Sequence, residues 1–247
     1  MGRGRRLLRF RDMPAHLRFN PHIRAGYRPL QGVRGCLASL FYLHNETINI
    51  LTHGAPILYI IVSWPDLIPW NEVDSYFLSW CHLLGAGCPW IGSFIYHLFM
   101  NLEHGEKIYY RLLQLDMLGI WVSQSIGALP AISASTYCLP RLCRYVIVCF
   151  YCVLSIWGLY KDLVSAIGGI IGALQIPEKW FPGAVDMCLN SHNIMHILVL
   201  TAVYSMHKSS ISDLMWMAKG GCQRHSMDTD IQTSSDLPAT DAGAAAG

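Results

Sequence analysis

Six apolar stretches, at about 48–69, 77–99, 112–133, 143–160, 163–176 and 191–206, constrain what this chain can fold into. A helix must run for roughly 20 apolar residues to cross a bilayer core, and most of these stretches approach that length. Only 14% of the 247 residues are charged and 53% are hydrophobic, against roughly 25% charged in a typical soluble domain. The expectation is an all-α, multi-pass transmembrane helical bundle with six apolar spans. Its environment is the lipid bilayer, and no nucleic-acid partner is expected.

Charge sets the expected orientation. Nine arginines between Arg3 and Arg34 precede the first span, against one acid, Asp12, which places the N-terminus in the cytoplasm by the positive-inside rule. The same basic segment could also touch anionic lipid. Residues 1–45 read as an arginine-rich lead-in with a short amphipathic helix near Gly35 to His44. Residues 46–216 read as the helical bundle, and 217–247 as a disordered polar tail. The fifth stretch, 163–176, spans only about 21 Å as a helix, short for a bilayer core of roughly 30 Å. The nine cysteines form no recognisable disulfide framework. Cys149 and Cys152 have redox spacing inside an apolar span, where that role is improbable. Cys138 and Cys143 flank a loop and could pair in an oxidising lumen.

Polar side chains inside the apolar stretches are few, so their positions are informative. His192 and His196 are four residues apart and share a helix face. Ser93 and His97 repeat that spacing near the end of the second stretch, and Asp116 lies near the start of the third. Glu46, Asn49 and His53 occupy one face entering the first. With a cytoplasmic N-terminus, His97 and Asp116 fall at similar depth, and the three histidines can meet. Three neutral imidazoles with one open position are the catalytic zinc arrangement, and oxygen ligands are too scarce here for a calcium or magnesium cage. Zn2+ is therefore the expected cofactor, with His97, His192 and His196 as ligands. Asp116 would orient or deprotonate a water, and Ser93 would sit in a supporting or substrate-contacting position. Each residue also has a plain reading. A single H-x-x-x-H pair arises by chance, His97 could be interfacial, Asp116 could pair with Arg111, and Glu46 and Asn49 could cap the first helix. Asn45-Glu46-Thr47 matches a glycosylation sequon that a cytoplasmic position would leave inert.

Four ordered motifs carry a family resemblance: Ser39 to His53 (SLFYLHNETINILTH), Ser93 to His97 (SFIYH), Leu115 to Ile120 (LDMLGI) and Ser191 to His196 (SHNIMH). Together they resemble the progestin and adipoQ receptor family from about Leu17 to Trp216. The resemblance implies a seven-helix bundle with a cytoplasmic N-terminus and a zinc ion on His97, His192 and His196. It also implies that Asp116 holds a water and that Ser93 is the motif serine. It further implies a role in ceramide and sphingolipid homeostasis, an endomembrane (Golgi) location, a sphingolipid or ceramide-like ligand, and lipid-synthesis enzymes as partners. One departure stands out: the family has seven spans, and six are counted here, with the fifth family helix missing. Six true crossings would put His192 and His196 on the opposite membrane face from His97.

Three functions fit this reading. The chain could be a zinc-dependent ceramide amidase. It could be a receptor or scaffold whose zinc is structural and whose effect on lipids runs through partner enzymes. Or it could be a shortened form without a working site.

Overall fold

The computed structural model describes residues 6–160 and 175–222. Most of that chain is helical. The N-terminal segment carries a two-stranded antiparallel ribbon, β1 (Leu8–Arg9) and β2 (Ala25–Tyr27), bridged by two short 3-10 turns. Then follow α1 (Val33–Ala38), α2 (Thr47–Leu67), α3 (Tyr76–Phe99), α4 (Glu106–Ser125), α5 (Leu129–Ser135), α6 (Arg141–Tyr160) and α7 (Ser191–Ala218). The expected amphipathic helix near Gly35 to His44 is α1 followed by a 3-10 turn, Ser39–Phe41.

The expected set of six spans is corrected here. Among the described residues, two helical stretches are long and apolar enough to cross a membrane, Thr47–Leu67 and Glu106–Ser135. Helix α3 interrupts its apolar run with His82, Pro89, Ser93 and His97. Helix α7 carries His192, Asn193, His196, His207 and Lys208. Some of these groups meet a neighbouring helix, as His82 Nε2 does His207 Nδ1 and His97 Nε2 does His192 Nε2. The expected third span, 112–133, falls within Glu106–Ser135, although the chain turns between Ser125 and Leu129. The expected fifth stretch, 163–176, lies almost wholly outside the described residues, as does most of the expected polar tail.

The packing centres on α3, which lies against α4 along its length and also meets α2, α5 and α7. The α3–α4 approach is close because small residues face each other. A Cβ added to Gly92 would stand 2.7 Å from the Leu115 carbonyl oxygen, and one on Gly119 would stand 2.5 Å from the Cys88 carbonyl oxygen. That backbone contact sets Asp116 of α4 beside Gly92 of α3, the residue before Ser93.

The N-terminal segment packs as a cap over one end of the helices. Met13, Leu17, Ile23 and Tyr27 join Tyr96 and Met100 at the end of α3 and Tyr109 at the start of α4 in one buried cluster. Loop residues 175–190 fasten the cap. Both carboxylate oxygens of Asp186 accept backbone N–H groups, from Arg24 at 3.0 Å and Ala25 at 2.7 Å. The Asn20 side-chain amide donates to Glu178 at 2.9 Å.

At the opposite end a disulfide joins Cys138, just past α5, to Cys222, just past α7. Cys143, the partner considered from sequence, is free and exposed. Thr136 and Tyr137 end α5 close to the C-terminal turn of α7, where Tyr137 meets Trp216. Proximity in sequence was a poor guide to this pairing, because Pro140 and Arg141 start a new helix that carries Cys143 away.

A candidate metal centre of three histidines

His97 lies in the last turn of α3, and His192 and His196 lie in the first two turns of α7. The start of α7 is held tightly, which fixes the direction of both its histidines. Asn190 is the N-cap, and its side chain accepts the Asn193 N–H at 3.0 Å. Glu178 accepts the Ser191 N–H at 2.7 Å and also takes the Ser191 hydroxyl proton in a hydrogen bond. Two of the unpaired N–H groups of the first turn are thereby satisfied, and a carboxylate stands at the positive end of the helix. Burial works against the Glu178 charge, but the Ser191 hydroxyl and N–H and the Asn20 amide outweigh it and hold its carboxyl below the usual range.

The end of α3 is held by Arg28, a fully buried arginine. Its guanidinium donates to the His97 carbonyl at 2.6 Å, the Leu98 carbonyl at 3.0 Å and the Ser39 hydroxyl at 2.8 Å. These carbonyls belong to the last turn of a helix, where no intrahelical donor is available and a cation is favoured. In sequence, Arg28 is one of nine arginines in a basic lead-in. The pattern offered one clue: Arg28 lies between Tyr27 and Pro29, close to the first buried motif.

The three rings converge. His97 Nε2 lies 3.3 Å from His192 Nε2, and His196 Nε2 lies 3.2 Å from the same atom. One ligand atom from each histidine falls within 4.8 Å of the others, and His97 and His196 are buried. Nitrogens at tetrahedral corners around zinc, each about 2.0–2.1 Å from the ion, stand about 3.3 Å apart. The His97 tautomer supports the same conclusion. Its Nδ1 lies 2.8 Å from Glu46 Oε2, and an ionised carboxylate can only accept, so Nδ1 carries the proton. His97 Nε2 therefore presents a lone pair toward the other two imidazoles, which a cation between them would satisfy. The donor set and its spacing fit a metal ion.

Glu46 anchors the second layer of contacts. It stands at the N-cap position of α2 but makes no cap bond. Its oxygens accept from Asn49 at 2.8 Å, Asn45 at 2.9 Å and His97. Asn49 in turn accepts from the Asn193 side chain at 2.6 Å, linking α2 to α7. Burial opposes the Glu46 charge, but the hydrogen bond and charge of His97, the charge of His192 and the Asn49 amide hold its carboxyl at about 2. Burial and the nearby Arg28 charge hold His44 at about 4, against the pull of Glu46, so its ring is neutral and Nδ1 accepts the Glu46 N–H at 3.1 Å. This carboxylate–histidine pairing is the usual support for a metal-ligating imidazole.

Ser93 is buried one turn before His97. Asp116 is half-buried on α4 and within electrostatic range of His97, and it makes no ion pair with Arg111 among the described residues. His53 is buried with its ring stacked on His196, centroids 4.1 Å apart. An apolar cavity of about 330 Å³ opens between α2, α3 and α7, lined by Pro56, Ile60, Leu83, Trp90, Leu200 and Val203 among others, with Leu200 one helical turn beyond His196. Sequence reasoning missed a second histidine pair, His82 Nε2 to His207 Nδ1 at 2.8 Å. His207 lies one residue past the expected end of the last span.

These features define a predominantly helical, membrane-associated protein with a buried three-histidine centre able to hold a metal ion. The family model described as haemolysin-III related matches residues 41–166 and 157–207. The chain is 34% identical over 268 aligned residues to human progestin and adipoQ receptor family member 4, covering 90% of this chain and 98% of the relative. The mouse member 4 is 33% identical over 89% of this chain and 97% of its own length. The Drosophila adiponectin receptor protein is 24% identical over 83% of this chain and 59% of its own length. The chain belongs to the progestin and adipoQ receptor family and is similar to its fourth member.

Proposed function

We propose that the chain is a zinc-dependent amide hydrolase acting on a ceramide-like lipid in an endomembrane such as the Golgi. The observation that carries the reading is the meeting of two halves: a His97–His192–His196 centre on α3 and α7, and an apolar cavity lined by those two helices together with α2. Pro56 follows His53 by three residues, Leu200 follows His196 by four, and Trp90 precedes Ser93 by three. At helical spacing, those offsets keep the cavity on the faces that carry the polar site. An acyl chain lying in the cavity would bring its carbonyl carbon to the histidines.

Zinc, when bound, supplies a Lewis acid that polarises a carbonyl and makes water easier to deprotonate. His97, His192 and His196 would hold it, and Glu46 would fix the His97 ring through Nδ1. Asp116 would take a proton from the attacking water and return it to the amide nitrogen as the C–N bond breaks. The products are a fatty acid and an amino alcohol. Ser93, buried one turn before His97, would position the substrate carbonyl.

Purified protein incubated with ceramide, with the released fatty acid and base measured by mass spectrometry, tests the reading. Wild type should cleave, and His196→Ala and Asp116→Ala should not. Zinc-loaded wild type that leaves ceramide intact would overturn it.

The names of the relatives, progestin and adipoQ receptor family members and an adiponectin receptor protein, favour a second reading. Under it, zinc is structural and partner enzymes of lipid synthesis change the lipid levels. That reading predicts that Asp116→Ala, which keeps all three ligands, preserves the cellular ceramide phenotype.

A further inference from the structure

His53 has a feature that the metal centre does not account for. The residue is 5% exposed, and neither Nδ1 nor Nε2 has a hydrogen-bond partner among the described residues. Its ring stacks on His196 with an interplanar angle of 27°, so its edge, where both nitrogens lie, is directed away from the His196 ring face. His53 is not one of the histidines whose ligand atoms converge within 4.8 Å. His196 Nδ1, in the neighbouring ring, is also buried without a partner among the described residues.

The position of His53 on α2 says what such an edge would meet. One turn toward the N-terminus lies Asn49, whose side chain is committed to Glu46 and Asn193. One turn the other way lies Pro56, which lines the apolar cavity. His53 therefore marks the join between the polar centre and the apolar cavity. A neutral imidazole has one N–H donor and one acceptor nitrogen, and leaving both unmade in a buried site is costly. The complementary ligand offers an acceptor and a donor close together at the end of an apolar chain, as a secondary amide or a hydroxyl-bearing amide does.

We infer that His53 is a lipid-contacting residue whose two ring nitrogens bind the amide or adjacent hydroxyl of an N-acyl lipid seated in the cavity. The contact fixes the depth of the acyl chain relative to the three histidines. The inference rests on the proposed function for its ligand class and deepens it by naming the group that reads the head of the substrate.

The test compares wild type, His53→Phe, His53→Gln and His196→Ala in detergent micelles. Fluorescently labelled ceramide is the binding probe, and metal analysis gives the zinc content. Phenylalanine keeps the stacking on His196 and removes both nitrogens, while glutamine restores a donor and an acceptor. His53→Phe should retain about one zinc per chain and bind ceramide at least about tenfold more weakly, and His53→Gln should recover to within about threefold of wild type. His53→Phe that binds as tightly as wild type would overturn the inference alone. Loss of zinc in His53→Phe would also overturn it, by making His53 a support of the metal centre. Wild type that holds zinc but binds no ceramide would overturn the proposed function and this inference together.

Discussion

Glu46 Oε2 accepts a 2.8 Å hydrogen bond from His97 Nδ1 across 51 residues of sequence, and the pair is buried on both sides. The contact fixes which His97 nitrogen is free to face His192 and His196. Glu46→Gln, which keeps the shape but gives up the negative charge, should weaken metal binding about 10- to 100-fold. Competition with a chelator of known affinity measures this. An unchanged affinity would mean that His97 does not depend on Glu46 for its orientation.

Glu178 should control stability in a pH-dependent way. Its carboxyl is depressed below the ordinary 4.5 because Ser191 and Asn20 favour the ionised form. A depressed carboxylate contributes stability above its unfolded value and loses it as pH falls through the folded one. Glu178→Gln should therefore lower stability by about 1–3 kcal/mol at neutral pH. The gap from wild type should close as pH drops below about 4.5. Thermal unfolding of both proteins across that range checks the prediction, and a gap that widens on acidification would contradict it.

Gly92 is the close point between α3 and α4. A methyl group there would meet backbone atoms of Leu115 and Asp116, at 2.7 Å and 3.1 Å. Gly92→Ala should cost about 1–3 kcal/mol through overpacking. Because α4 supplies Asp116 but none of the histidines, the variant should still bind metal while losing any activity that depends on Asp116. Metal analysis alongside ceramide turnover separates the two effects.

The Cys138–Cys222 bond closes a loop of 84 residues. Cys138→Ser should lower stability by about 2–4 kcal/mol. Treatment of wild type with reductant should reproduce the loss and leave the variant unaffected. Equal thermal transitions of wild type and variant would mean that the bond is not formed in the folded protein.

The site was more legible in the sequence than the architecture around it. His192 and His196 are local in sequence, and helical spacing alone puts them on one face. Glu46, Asn49 and His53 followed from the same rule. Parity of crossings argued that His97 and the α7 histidines could be separated, yet the structure brings all three rings together, because Glu178 and Arg28 anchor the two helix ends at one level. Neither anchor was visible. Glu178 acts over 158 residues on Asn20, and a buried arginine looks like any other in a basic segment. The six apolar stretches were misleading for a related reason: hydropathy averages cannot distinguish a helix facing lipid from one whose histidines and serines face a neighbour.

Metal content bears most directly on the central claim. Protein purified without added chelator should carry about one zinc per chain, and His97→Ala, His192→Ala and His196→Ala should each lose nearly all of it. Zinc retained at wild-type level after any of those three substitutions, in a protein that still folds, would contradict the account.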